Sequence, residues 1–203
     1  LWHGLTQRST LAQGVFAGQE RQALQAIFLT LIPTAVLGIL IERYFLSTLI
    51  RPEIVGGMLF MTGCLLWWGH GRTGNRSMAE MRPTDALIIG LFQGVAIVPG
   101  ISRAGATITA SFLLGFEREL AVRFSMLISV PTILGAACLE VSKLNGGPLP
   151  PLGPYAAGMA LAAVVGYLSI ALILRLVRED HFHLFAWYLW PVGIVAILGS
   201  SFA

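Results

Sequence analysis

The chain has 203 residues, of which 56% are hydrophobic and 11% charged, and its formal net charge is +3. An average soluble domain is about 25% charged, so this composition argues against a water-soluble fold and for an all-α polytopic membrane protein. The positive surplus points to membrane topology rather than to a nucleic-acid partner, because the basic residues fall between the apolar runs.

Residues 1–22 are too polar to span a membrane and carry no evident signal peptide. The chain begins at Leu1 rather than at methionine, so a fragment or a processed product is expected. Six windows free of Asp, Glu, Lys and Arg follow, at residues 23–41, 54–69, 86–102, 124–139, 144–174 and 184–203. Roughly 20 apolar residues cross a bilayer, so most of these windows are expected to be spanning helices, whereas the run 104–116 is too short to cross alone. Pro33-Thr34 and Pro131-Thr132 each precede a Leu-Gly pair, a match too short to establish a repeat. Cys64 and Cys138 lie inside apolar windows and are expected to be small buried hydrophobes, with no disulfide to argue from. Gly90-x-x-x-Gly94 and Gly158-x-x-x-Ala162-x-x-x-Gly166 read as small-residue stripes for close helix packing. Glu140 is expected at an interface, and His181 and His183 in a short interfacial loop rather than on a metal.

The region 85–116 is either one long span or a hairpin that returns to its side of origin. If it returns, Arg8, Arg21, Arg72, Arg76, Arg82, Arg118, Arg123, Arg175 and Arg178 share one side, and only Arg43, Arg51 and Lys143 the other. With Arg103 inside the membrane this accounts for all 13 basic residues, whereas a single crossing would split the other twelve evenly. Cytoplasmic loops are rich in Lys and Arg, so the returning hairpin is expected, with the C-terminus on the opposite side. Trp67 and Trp68 then mark the cytoplasmic interface, Tyr44 and Tyr155 the other, and Trp187 and Tyr188 the start of the last span. The tip, residues 99–102, lies near mid-membrane, where irregular backbone is tolerated only inside protein or beside a water-filled cavity.

Residues 93–107 read Gln-Gly-Val-Ala-Ile-Val-Pro-Gly-Ile-Ser-Arg-Ala-Gly-Ala-Thr. Arg103 is the one charge in residues 86–116, and a charge at bilayer depth costs ~2.5–3.5 kcal/mol on insertion scales, so it is kept for a reason. Pro99-Gly100 breaks one helix, Ser102 caps the next, and a hydroxyl, a guanidinium and first-turn N–H groups converge on one point, an arrangement that suits phosphate. Arg103, Thr107 and Ser111 share a helix face, Gly105 admits a close backbone or ligand, and Gln93 on the first arm is placed to orient a water or a phosphate oxygen. Taken singly, an arginine paired with a buried carboxylate or a Pro-Gly kink would be unremarkable; the cluster at one tip is not.

The run with Pro-Gly-x-Ser-Arg followed by Gly-Ala-Thr resembles a signature of the bacterial undecaprenyl-diphosphate phosphatases, the bacitracin-resistance membrane phosphatases. Ile32-Pro33, Gly115-Phe116, Phe124-Ser125 and residues 131–135 fit the same pattern, and Ala104 stands where the family commonly has serine. The resemblance implies an inverted-repeat architecture in which each repeat is a re-entrant hairpin followed by three spans. On that template residues 1–203 form one integral membrane domain: two spans of a first repeat at 23–84, then a second repeat at 85–203 with its hairpin at 85–116 and three spans. It also implies removal of the terminal phosphate of undecaprenyl diphosphate in the bacterial plasma membrane, recycling the lipid carrier of peptidoglycan synthesis and conferring bacitracin resistance. Arg103, Ser102 and Thr107 are the expected catalytic residues, and Gln93, Pro99, Gly100 and Gly105 the expected phosphate-binding ones. A divalent cation, Mg²⁺ or Ca²⁺, is implied as cofactor, its ligands together with the nucleophile and acid expected in a first hairpin not contained in residues 1–203, so that these residues alone are expected to be inactive. The expected partners are the polyprenyl diphosphate and membrane lipids, with a homo-oligomer left open. The rival readings are a lipid-phosphate flippase or anion transporter without hydrolysis, since transporters also bind anions at broken helices, and a non-catalytic membrane scaffold.

Overall fold

The computed structural model describes residues 18–72, 74–143 and 152–200. Among them the chain is helical with no strand, apart from a single bridge between Arg76 and Phe116. The main helices are α1 (Glu20–Tyr44), α2 (Pro52–Gly69), α3 (Pro83–Val95), α4 (Arg103–Leu113), α5 (Arg118–Ser142), α6 (Leu152–Arg178) and α7 (Phe185–Ser200). Pro52 and Pro83 open α2 and α3 at the first helical position, where a missing N–H costs nothing. Arg8 and residues 144–151 and 201–203, which the sequence reading used for topology and spans, lie outside the described residues.

Among the described residues four stretches are long and apolar enough to cross a membrane: Glu20–Tyr44, Arg118–Ser142, Gly153–Arg178 and Phe182–Ser200. Helix α2, with 18 residues, is shorter and carries Glu53 in its first turn, but it lies antiparallel along α7. A Cβ on Gly56 would sit 2.7 Å from the Gly193 carbonyl oxygen, a Cβ on Gly63 would meet Trp190, and Trp67 packs on Trp187 with ring centroids 6.2 Å apart. The second helix therefore shares the depth of the last.

Helices α1 and α3 run side by side in the same direction. Thr30 and Thr34 donate hydroxyl bonds to the carbonyls of Ala86 and Gly90, at 3.2 and 3.1 Å. A Cβ on Gly90 would lie 2.3 Å from the Thr30 carbonyl oxygen and one on Gly94 would lie 2.7 Å from Leu37, so the Gly90/Gly94 stripe is the contact the sequence implied. The other stripe behaves differently. Nothing lies within 4 Å of a Cβ on Gly158 or Gly166, and this part of α6 is exposed, so its small residues pack against no described neighbour. Cys64 and Cys138 likewise correct the expectation of burial: both are exposed, on apolar faces that a membrane would cover.

Helices α3 and α4 form an antiparallel pair whose open ends meet at one residue. Arg76 donates to the Leu114 carbonyl at 2.6 Å, to the Glu80 carbonyl at 2.7 Å and to Asp85 Oδ2 at 2.5 Å, and its backbone bridges Gly115 and Glu117. Beneath this clasp Met78, Ile89, Phe116, Leu120, Phe124 and Ile128 are almost wholly buried and form the core. The same end carries the ion pairs of Arg118 with Asp180, Arg178 with Glu119 and Arg175 with Glu179. At the other end Lys143 pairs with Glu42 and Glu140. Among the described residues the basic side chains thus separate into a rich and a poor end.

Candidate functional site

The α3–α4 turn is built by glycine and by one threonine of α2. Gly100 has φ +96°, in the left-handed region, and a Cβ there would lie 2.5 Å from the Val55 carbonyl oxygen; only glycine satisfies both conditions. Thr62 donates to the Gly100 carbonyl at 3.0 Å and accepts from the Ser102 N–H at 3.3 Å, which fixes the turn against α2. Ser102 is the N-cap of α4, its Oγ accepting from the Gly105 N–H at 3.1 Å. The Arg103 and Ala104 N–H groups, first in the helix, have no intrahelical acceptor and carry the positive end of its dipole.

Arg103 projects into a cavity of about 460 Å³ between α1 and α5. Leu31, Thr34, Ala35, Ile39 and Glu42 line one wall, Pro131, Thr132, Gly135 and Leu139 the other, and Ile97 belongs to the hairpin side. The walls run from the Thr34 and Thr132 level up to Glu42 and Leu139, so the cavity extends toward the end where Lys143 sits. Arg103 Nε is buried with no hydrogen-bond partner among the described residues. A buried guanidinium N–H without an acceptor costs about 1–3 kcal/mol or more, which a bound anion would remove.

Below this cavity lies a polar belt. Gln93 is wholly buried, and its Nε2 donates to Thr132 Oγ1 at 2.8 Å and to Thr34 Oγ1 at 3.3 Å. Thr34 shares its one proton between the Thr30 carbonyl at 2.8 Å and the Gly90 carbonyl at 3.1 Å, and Thr132 donates to the Ile128 carbonyl at 2.8 Å. One amide therefore ties α3 to the two helices that wall the cavity. Gln93 Oε1 is buried and finds no partner among the described residues, leaving an acceptor for a water or a ligand donor.

The remaining sequence candidates divide. Thr107 is buried, 2.5 Å from Ser125 Oγ and within 3.0 Å of the Arg103 carbonyl, so it joins α4 to α5 rather than lining the cavity. Ser111 donates to the Thr107 carbonyl on the same face. Gly105 faces α2, where a Cβ would touch Leu66 at 3.1 Å, and Pro99 and Gly100 belong to the turn. Arg103 thus lines the cavity and Gln93 lies behind Thr34 and Thr132 of its walls, while Gly100, Ser102 and Gly105 hold the turn in place. Sequence reasoning missed Thr34, Thr132, Ser125, Thr62 and Glu42. The paired Pro-Thr dipeptides were the available signal for two of them.

Mg²⁺ and Ca²⁺ are held by oxygen ligands, carboxylates above all. Among the described residues no group of three His, Cys, Asp or Glu side chains is placed to hold one, and the cavity's one carboxylate, Glu42, is taken by Lys143. These residues do not fit a metal centre, and the chemistry derived below uses none.

Comparison with known proteins agrees on one family. The family profile described as Bacitracin resistance protein BacA matches residues 1–195. A protein of Methanothermobacter thermautotrophicus named Undecaprenyl-diphosphatase is 40% identical over 175 residues, covering 83% of this chain and 96% of the relative. Proteins of the same name from Halothermothrix orenii and Alkaliphilus metalliredigens are each 39% identical, covering 91% and 90% of this chain and 73% and 67% of the relatives.

Proposed function

This chain belongs to the bacitracin resistance protein BacA family, and on that premise we propose how the Arg103 cavity serves the family's reaction. The protein is a membrane-embedded undecaprenyl-diphosphate phosphatase: it hydrolyses undecaprenyl diphosphate to undecaprenyl phosphate and inorganic phosphate, which returns the lipid carrier to peptidoglycan synthesis in the plasma membrane and underlies bacitracin resistance. Nothing favours a flippase or an anion carrier.

The α3–α4 pair enters the membrane from the arginine-rich, cytoplasmic end and returns to it, with its tip at mid-depth. The terminal phosphate docks at that tip. Arg103 forms paired charge-assisted bonds to two of its oxygens, and the Arg103 and Ala104 N–H groups supply further donors. The Ser102 hydroxyl, whose oxygen is already an acceptor for Gly105, has its proton left for a phosphate oxygen. Cleavage breaks the anhydride P–O bond and transfers the phosphoryl group to water, with charge growing on the equatorial oxygens and on the leaving lipid phosphate. Donors already in place in an apolar cavity stabilise that charge without reorganising at the moment of reaction. Gln93 and Thr107 act through position. Gln93 sets the spacing of the two cavity walls, and Thr107 with Ser125 fixes the helix from which Arg103 projects.

The observation that carries this assignment of roles is the buried Arg103 Nε, without a partner among the described residues, at a capped helix N-terminus. The test is direct: the full-length protein, purified in detergent, should release inorganic phosphate from undecaprenyl diphosphate and leave undecaprenyl phosphate. Movement of the lipid between leaflets without phosphate release would support a carrier instead.

A further inference from the structure

We infer that Lys143 is the first contact of the incoming diphosphate, held across the mouth of the Arg103 cavity by Glu42 and Glu140 and handed to phosphate as that bridge opens. This rests on the reading of the cavity as a diphosphate site. Glu42 is the outermost lining residue of the α1 wall and Leu139 that of the α5 wall, and Lys143 lies one helical turn beyond Leu139. Its Nζ donates to Glu42 Oε1 at 2.6 Å, spanning the two walls, and to Glu140 Oε1 at 2.8 Å on its own side. The bridge therefore joins the two walls at the cavity's outer end.

Charge makes the bridge a gate with a preference. Left bare, the Glu42 carboxylate would repel a diphosphate at the mouth; paired, it offers an ammonium with three donors. All three side chains are about half exposed or more, at 52% for Lys143, 42% for Glu42 and 71% for Glu140, and pairs this open are weak and exchange readily. An anion of higher charge can thus take over the ammonium. Between mouth and tip the walls are almost entirely apolar, with Ala35, Ile39, Gly135 and Ala136, so Lys143 and Arg103 are positive charges at the two ends of one shaft. Bonds to Glu140 and then Glu42 push the lysine's pKa above its ordinary value, and the ammonium stays charged across the physiological range.

The test uses a cysteine reporter in the shaft. In protein carrying Cys64→Ala and Cys138→Ala, Ala136→Cys is labelled by a membrane-impermeant maleimide in nanodiscs, with inorganic pyrophosphate as the probe ligand. Glu42→Gln should raise the labelling rate severalfold by loosening the bridge. Lys143→Ala should raise the pyrophosphate concentration for half-protection by about five- to tenfold, while Lys143→Arg, which keeps the charge, should stay within about twofold of the parent. If pyrophosphate protects the parent and Lys143→Ala equally, the inference falls and the diphosphate site stands. If pyrophosphate does not protect the parent at all, the site reading itself fails and takes the inference with it.

Discussion

Removing the guanidinium of Arg76 should loosen the α3–α4 hairpin at its base. Arg76→Ala deletes the bonds to Leu114, Glu80 and Asp85, and strands a carboxylate whose side chain is only 8% exposed. Losing one partner of a buried ion pair costs about 3–5 kcal/mol. Arg76 is itself 28% exposed, and Asp85 keeps the bond from the Arg82 N–H at 2.9 Å as well as a helix N-terminus, so the expected loss is about 2–4 kcal/mol. The double variant Arg76→Met/Asp85→Asn removes both charges and should recover about 1–3 kcal/mol of that loss, the size of coupling usual for contacting residues. Reversible unfolding in mixed micelles, followed by tryptophan fluorescence, measures each variant. Arg51→Ala serves as the reference, because the Arg51–Glu53 pair is 65% and 37% exposed and should change stability by less than about 1 kcal/mol. If Arg76→Ala unfolds like Arg51→Ala, or if the double variant is no more stable than the single, Arg76 does not clasp the hairpin.

Gly100→Ala combines left-handed strain with a Cβ placed 2.5 Å from a backbone oxygen that cannot move aside cheaply; it should lose about 2–4 kcal/mol in the same unfolding assay, and its phosphate release should fall with it. Gly90→Ala, whose Cβ would lie 2.3 Å from the Thr30 carbonyl oxygen, should part α1 from α3 and cost about 1–3 kcal/mol, whereas Gly158→Ala, with open space around it, should be neutral or slightly stabilising. Gln93→Leu removes the tie between Thr34 and Thr132 and leaves their lone pairs unmet; about 1–3 kcal/mol of stability should go, and kcat should drop more than KM rises, since the amide positions the walls without gripping substrate. An unchanged kcat for Gln93→Leu would remove that residue from the mechanism.

The helical plan was legible because its signals are local. Charge-free windows marked the four stretches able to span, and Pro99-Gly100 followed by Ser102 gave both the break and the cap. The arginine count is the basis for reading α3–α4 as a returning hairpin, and Arg76 joins the open ends of those two helices. The long-range pairings were not legible. Thr34 and Thr132 stand 98 positions apart in the sequence, and only the fold brings both to the amide of Gln93. Glu42 and Lys143 lie at the ends of different windows, 101 positions apart, and only the packing of α1 beside α5 brings them together. Burial was misjudged at Cys64, Cys138 and the Gly158 stripe for one reason: in a membrane protein an apolar residue can satisfy itself against lipid, so apolarity does not imply an inward face. Thr107 was placed on the correct helix face, but that face meets Ser125 before it reaches the cavity.

The central claim is that Arg103 holds and stabilises the terminal phosphate. Steady-state phosphate release from undecaprenyl diphosphate, compared among the full-length parent and its Arg103→Lys and Arg103→Ala variants in the same detergent, tests it most directly. Loss of a preorganised charged donor should lower kcat by about 10²–10³-fold or more in Arg103→Ala, with Arg103→Lys intermediate because it keeps the charge and loses the paired geometry. Hydrolysis by Arg103→Ala at the parent's rate, in protein that unfolds like the parent, would contradict it.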